Sequence, residues 1–406
     1  MYRALEGIKV VQTASTLAGP MAARLLADWG ADVIWVEQAV KGDLLRSLYT
    51  KVVGGRMIVS DVNYRAENVN RNKRGMSLNL AHESGREIIY KLLENADVYL
   101  SNFRERELKK FKLEYETLSQ LNPRLICANI DGYGKKGPDK DLSGTEFTGY
   151  FARSGILHTL QLPGSPPIEN PIGLGDHVTG LALAHGIVTA LYMREKTGVG
   201  QQVDTSLFHA AVFTLSYDIA GALVTGQDRQ AVERKDISMA LHTSYETKDG
   251  KWLRLGLGLQ ADLYWPRFCQ AIGREDLEHD PRFETFEPRV DNHLALFNIL
   301  EEVFRSKTLD EWKIPLNEKE ITWAPVQNLP EVITDPQARA NDFYVPFDHP
   351  TYGRIEVIAN PVRLSMSPEV ISRPAPEFNQ HTEEILLEHG YTWEDIKQFK
   401  EQGVIA

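Results

Sequence analysis

The first forty residues constrain this chain most. The apolar run Ile8 to Val11 is followed by a polar turn, a helical stretch that Pro20 opens and Gly30 stops, and a second apolar run from Val33 to Val36. Two strands joined through a helix cannot pair as a hairpin. The helix carries the chain back over the sheet, so the strands lie parallel and helices cover them. The alternation continues with a helix near Ser84 to Asn95, a strand at Val98 to Leu100, a helix near Tyr115 to Leu121 and a strand at Leu125 to Ile130. The predicted fold class is α/β, a large doubly wound Rossmann-like domain accompanied by a smaller α+β domain.

Two loop-rich stretches follow, Gly132 to Gly144 and the proline-rich Leu162 to Gly175, and loops of that size usually carry function. A long helix is expected near His177 to Arg194, then a strand at Gln202 to Leu207 and one helix from Phe208 to Val224. The polar run Gly226 to Asp236 reads as a boundary. The expected division is 1–225 for the opening segment of the large domain, 226–330 for the small domain, and 331–406 for a return that completes the large one. Within that return a strand, Arg354 to Ile358, precedes two helices beginning at Thr382.

A formal charge of −11 argues against a nucleic-acid surface, because duplex binding needs Lys and Arg to neutralise phosphates. Two cysteines, Cys127 and Cys269, sit among apolar residues and are expected as inert buried thiols of a reducing cytoplasm. No stretch approaches the ~20 apolar residues of a membrane span, and the amino end enters a strand without a signal-like apolar segment, so a soluble, unexported protein is expected. The chain lacks a GxSxG elbow, an HExxH helix, a GxxxxGK[ST] loop and a GxGxxG turn after the first strand, where it has Thr13 to Gly19 instead. Hydrolase-triad, zinc-protease, NTPase and nicotinamide readings all lose weight. The eleven histidines show no metal-ligand spacing, and no metal or permanently bound cofactor is expected.

The segment Gly173-Leu174-Gly175-Asp176-His177-Val178-Thr179-Gly180 places an acid between glycines at a loop-to-helix junction. Glycine removes side-chain bulk, so a large substrate can reach the carboxylate. An aspartate just before a helix is also a common N-cap, accepting amide hydrogen bonds of the first turn. The two roles are compatible, since a cap fixes the carboxylate and favours its ionised form.

The landmarks LEGIKVV, AGPMAARLLADWGADVIWVE, NRNKRGMSLNL, ADVYLSNF, LNPRLICANIDGYGKKGPD, GLGDHVTG, KTGVGQQVDTSLFHAA and HTEEILLEHGY occur in that order along nearly the whole chain. In this order the chain resembles the family III CoA transferases of the CaiB/BaiF type, and among them most nearly the phenyllactate and 2-hydroxyisocaproate enzymes. The resemblance implies transfer of CoA from an acyl-CoA to a free carboxylic acid, here a bulky aryl or branched 2-hydroxy acid, through an aspartyl-CoA thioester on Asp176. Backbone amides beside Asp176 are expected to face the oxyanion. CoA itself enters as a thioester substrate.

Carried over by position, the resemblance puts Thr16, Leu17, Ala18, Leu78, Ala81, Asn102, Phe103, Lys110 and Glu146 in the CoA cleft. It makes Lys73, Arg74, Arg104 and Lys110 the candidates for neutralising CoA phosphates. Phe147, Tyr150 and Phe151 are candidates for an apolar acyl pocket, although aromatic residues at this spacing are more often core. Position 38 is Gln, where the family's formyl-CoA:oxalate CoA transferases have a basic residue, and Gly256 to Gln260 is a thin counterpart of the glycine run of those enzymes. The family's architecture implies an interlocked homodimer with no nucleic-acid or membrane partner. Two further readings stay open. An α-methylacyl-CoA racemase would need a histidine where this chain has Ser143-Gly144-Thr145-Glu146-Phe147, and an inactive subunit of a heteromeric transferase would not need Asp176.

Overall fold

The computed structural model describes residues 2–48 and 60–406. The chain divides into two units: Met1–Thr159, Pro167–Arg229 and Asp342–Ala406 form the first, and Leu160–Pro166 with Gln230–Asn341 form the second.

In the first unit the elements run β1 (Lys9–Gln12), α1 (Ala18–Asp28), β2 (Asp32–Gln38), α2 (Leu45–Leu48), α3 (Tyr64–Asn70), β3 (Arg74–Leu78), α4 (Glu83–Leu93) and β4 (Val98–Ser101). They continue with α5 (Glu105–Phe111), α6 (Tyr115–Leu121), β5 (Ile126–Asp131), α7 (Ile156–Leu160, ending at the unit boundary), α8 (Leu174–Thr197), β6 (Gln202–Ser206), α9 (Leu207–Thr214) and α10 (Ser216–Thr225). A short π-helix, Glu146–Ala152, lies between β5 and α7.

The six strands form one parallel sheet in the order β3-β2-β1-β4-β5-β6. The chain winds outward one way from β1 and then the other way from β4, so β1 and β4 flank a topological switch point. Loops leaving the carboxyl ends of such a pair diverge and open a crevice. Apolar residues on both faces of the sheet are buried, as a doubly covered parallel sheet requires: Val10, Val33, Val98 and Ile126 against one layer, Val11, Ile34, Tyr99 and Cys127 against the other.

β3 was not visible as a strand in RGMSL, yet every residue of it is buried. The carboxyl-terminal return covers it: the Gly75 N–H donates to His381 Nδ1, the Ser77 N–H to Thr382 Oγ1, and the Asn79 N–H to the Val404 carbonyl. The expected single helix from Phe208 to Val224 is instead α9 and α10, bent by 78°. At the break the Thr214 hydroxyl bonds back to the Ala210 carbonyl and also accepts from Tyr150 Oη, and none of the α10 residues is buried. No single helix among the described residues is long and apolar enough to cross a membrane.

The second unit holds a three-stranded antiparallel sheet, β7 (Ser244–Glu246), β8 (Trp252–Leu255) and β9 (Trp323–Pro325), packed on helices around Trp265, Phe268, Phe304 and Trp312. It closes at Asn341 and not at the expected 330. The Val326 N–H extends the β8–β9 pairing to the Trp252 carbonyl, and Glu331 on the next helix pairs with Lys251, so the chain past 330 stays with this unit. The glycine-bearing segment 256–260 lies here as a short 3-10 turn, Gly258–Gln260.

Candidate active site

Two cavities lie at the carboxyl ends of the large sheet. The larger, about 530 Å³, is walled by the β1–α1 turn (Ser15 to Ala18), by Asn102 and Arg104 after β4, by Asp131 and Gly132 at the end of β5, and by Asp176. The other, about 460 Å³, is walled by β2, by Leu78 to Ala81 after β3, and by Phe103, Lys110 and Phe111. Ser15 and Glu107 belong to both linings, so the cavities adjoin. Their combined size suits a large ligand.

Of the residues singled out from sequence, Thr16, Leu17, Ala18, Asn102, Arg104, Glu146 and Asp176 line the larger cavity. Leu78, Ala81, Phe103 and Lys110 line the other. Lys73 and Arg74 line neither, and the expectation that they meet CoA phosphates is corrected. Lys73 is fully buried, and its Nζ lies within 2.9 Å of four acceptors, Gln12 Oε1, Asn70 Oδ1 and the carbonyls of Pro20 and Val69, which share its three N–H groups. Arg74 faces the opposite end of the sheet, where it pairs with Asp32, Glu384 and Glu388.

Asp176 is the third residue of α8 and not its N-cap. Gly173, at φ 88°, turns the chain through the left-handed region, and the helix starts at Leu174. The capping acceptor comes from elsewhere. Glu146, the first residue of the π-helix and 2% exposed, accepts the N–H groups of Gly173 at 2.6 Å, Gly175 at 3.0 Å and Asp176 at 3.4 Å. The exposed amides of a helix start need such a partner. Those amides are therefore occupied, which corrects the expectation that they face an oxyanion.

Burial first, and the neighbouring Glu146 carboxylate second, push the Asp176 carboxyl up to about 7. Burial also raises Glu146, while its three backbone hydrogen bonds pull the other way. Asp176 thus sits near the midpoint of its titration at neutral pH, able to exist as a nucleophilic carboxylate in a poorly hydrated pocket.

The β1–α1 turn is strained and braced. Thr16 has φ 71°, a region that β-branched residues rarely enter, and its N–H donates to Asp43 Oδ2 at 2.9 Å. Ser15 and Asn102 exchange hydrogen bonds across the switch point: the Ser15 N–H donates to Asn102 Oδ1 at 3.2 Å, and Asn102 Nδ2 donates to the Ser15 carbonyl at 3.1 Å. After β4, Arg104 is turned onto Glu107 and Phe103 packs on Phe111.

Phe147 lines the larger cavity, but Tyr150 and Phe151 are core residues, buried against one another beneath the α8 amino end. Sequence reading missed Arg65, Glu107 and Asp131, which also line the larger cavity. Glu107 supplies only the return half of a capping box, its carboxylate accepting the Arg104 N–H at 3.0 Å, and an arginine at the N-cap gives no sequence signal for it. Neither Arg65 nor Asp131 carried a local signal. Among the described residues no three His, Cys, Asp or Glu side chains gather as a metal-holding group.

The sequence model of CoA-transferase family III matches residues 5–382. The chain is 36% identical over 406 residues to the (R)-2-hydroxy-4-methylpentanoate CoA-transferase of Clostridioides difficile, covering 99% of each chain. It is 35% identical over 397 residues to the cinnamoyl-CoA:phenyllactate CoA-transferase of Clostridium sporogenes, covering 97% of this chain and 95% of that one. Among solved structures, a CaiB/BaiF family protein from Brucella suis superposes with a TM-score of 0.82 at 29% identity, over 96% of this chain and 100% of that one. The match runs through both units and through every loop that walls the two cavities, and the chain belongs to the family III CoA-transferases.

Proposed function

We propose that the enzyme moves CoA from an acyl-CoA to a bulky aryl or branched 2-hydroxy acid, with Asp176 carrying CoA between the two half-reactions. The observation that supports this most is the Asp176 carboxyl itself, lining the larger cavity at the start of α8 and held there by amides that Glu146 occupies.

In the first half-reaction a carboxylate oxygen of Asp176 attacks the acyl thioester carbonyl, the C–S bond breaks, and CoA leaves as thiolate. The product is a mixed anhydride. The thiolate then attacks the Asp176 carbonyl carbon, giving an aspartyl-CoA thioester and the free donor acid. In the second half the incoming carboxylate attacks this thioester, thiolate leaves again, and its attack on the acceptor carbonyl releases the new acyl-CoA and regenerates Asp176. One thioester replaces another, so no external energy source enters the balance.

The smaller cavity, with Lys110 beside Phe111, suits the nucleotide end of CoA, and Arg104 supplies a second cation nearby. The acyl end then reaches Asp176. Leu142, Phe147, Ile172 and Leu207 give the larger cavity apolar walls, which favours an acid with an apolar tail. The relatives named for 2-hydroxy-4-methylpentanoate and phenyllactate support the same choice. A second copy of the chain is the expected partner: Tyr192 of α8, Phe213 of α9, and Tyr217, Leu223 and Val224 of α10 are exposed apolar side chains that an interlocked homodimer would cover. We place the enzyme in the cytoplasm, where the buried Cys127 and Cys269 remain free thiols.

The test is peptide mass spectrometry after mixing the enzyme with a panel of acyl-CoAs, comparing wild type with Asp176→Ala. A CoA-sized adduct on the Asp176 peptide, or a hydroxamate there after hydroxylamine, is expected in wild type and absent from the variant. An adduct on another residue, or none with any donor, overturns the proposal.

A further inference from the structure

The reaction brings a free carboxylate into a cavity whose lining already holds four carboxyl groups, Glu107, Asp131, Glu146 and Asp176. An anion entering so acidic a lining needs a cation where its oxygens come to rest. Among the described residues the lining has two, Arg65 and Arg104. Arg104 stands on the side that adjoins the smaller cavity, where its Nε and Nη2 donate to the two oxygens of Glu107, a residue of both linings, at 3.3 and 3.1 Å.

Arg65 is placed differently. It lies in the first turn of α3, and α3 is tied to the cavity walls on either side of it. Asn63, the N-cap of the helix, donates from Nδ2 to the carbonyl of Leu45, itself a cavity residue. Asn68 Nδ2 lies 3.2 Å from Nε2 of His177, the residue after Asp176. Residues three apart share a helix face, so Arg65 sits one turn from the contact that holds α3 against the start of α8. Its guanidinium carbon lies 4.6 Å from the centroid of the Tyr64 ring, which orients the guanidinium plane. A guanidinium has five N–H donors, so one edge can take a carboxylate while the others keep their existing partners.

We propose that Arg65 binds the carboxylate of the incoming acid and so selects anionic acceptors. This rests on the reading of Asp176 as the CoA carrier. One carboxylate oxygen is held by the guanidinium and the other is left to attack the aspartyl thioester. No proton moves to or from Arg65, and its charge is the same before and after the step.

The test separates a charged nucleophile from a neutral one. Enzyme–CoA thioester is formed from an acyl-CoA, then challenged either with 2-hydroxy-4-methylpentanoate or with hydroxylamine, in wild type, Arg65→Gln and Arg65→Lys. In Arg65→Gln the second-order rate with the acid is expected to fall roughly 10- to 100-fold, mostly through KM, as loss of a charge-assisted hydrogen bond implies. Hydroxylamine should react at the wild-type rate, and Arg65→Lys should recover part of the loss with the acid. Equal slowing of both nucleophiles would mean that Arg65 only supports the fold around Asp176, and no slowing of either would mean that it does not meet the acid; both overturn the proposal. A wild-type protein that forms no thioester on Asp176 overturns the reading beneath it instead, and the proposal falls with that reading.

Discussion

Glu146 and Asp176 share one helix end: the Glu146 carboxylate accepts the Asp176 N–H at 3.4 Å, although thirty residues separate them in the chain. The geometry makes Glu146 the cap and leaves the Asp176 carboxyl in the lining of the larger cavity. It also places two carboxyl groups in a poorly hydrated pocket, where full ionisation of both is unfavourable.

The first consequence is a pH dependence. On the proposed mechanism Asp176 must be ionised to attack, and its carboxyl is pushed up to about 7. The single-turnover rate of adduct formation should therefore rise with pH through about 7 and level off above it. A rate that stays flat from well below to well above neutrality contradicts this. The same shift governs stability, with a definite sign. The folded-state value lies above the ordinary 3.8, so the folded chain keeps a proton that the unfolded chain gives up, and this contribution is lost as pH rises through about 7. Asp176→Asn should therefore be more stable than wild type above pH ~8, by on the order of 1–3 kcal/mol, with the difference shrinking towards pH ~4. Urea unfolding at the two pH values measures it.

Glu146→Gln retains the shape of the cap and removes its charge. The acid limb of the single-turnover profile should move to lower pH, because the carboxylate that helps raise Asp176 is gone. The maximal rate should fall as well, since one amide oxygen cannot accept all three N–H groups and the side-chain NH₂ would face donors. An acid limb that does not move would show that Glu146 acts on α8 alone and not on Asp176.

Lys73 and Lys110 were paired in the sequence as phosphate ligands and are separated by the structure. Lys73→Met removes an ammonium that satisfies four buried oxygens, and should lower stability by about 2–4 kcal/mol. Lys110→Ala should leave the melting temperature nearly unchanged and raise KM for acyl-CoA several-fold, because its side chain lines the smaller cavity. Thermal melts and acyl-CoA titrations of both variants distinguish the two roles, and a stable Lys73→Met enzyme with a raised KM would reverse them.

Gly175→Ala tests how closely the α8 start must seat. A Cβ at this position would come within 2.5 Å of Cγ of the Tyr150 ring, which is itself buried. Neither side can yield without shifting the first turn of α8, so a loss of about 1–3 kcal/mol is expected. A drop in adduct formation of at least tenfold should accompany it, because Asp176 is the next residue in that turn. An active, fully stable alanine variant would show that the turn tolerates displacement.

The parallel sheet was legible because β1, β2, β4 and β5 are contiguous apolar runs whose helices begin and end on local signals such as Pro20 and Gly30. Asp176 stood out as a candidate for a similar reason, since an acid between glycines before a long helix is a local pattern. β3 was not, because Arg74, Gly75 and Ser77 are buried by partners near residues 381 and 404, far away in the chain. Whether Tyr150 and Phe151 belong to the core or to a pocket was left to the structure, because aromatic residues next to a loop read the same whether they pack inward or face a ligand.

The sequence by itself determined the order of most strands and helices, the acid that is the candidate nucleophile and the family, all of which depend on short runs of neighbouring residues. Only the tertiary structure decided what each charge does. It buried Lys73 among four oxygens, turned Arg74 away from the cavities, set Glu146 under the amides of α8, and brought Arg65 to the wall that holds Asp176. The reason is physical: the energy of a charge depends on whether water or another stretch of the chain surrounds it, and only the folded chain chooses between them.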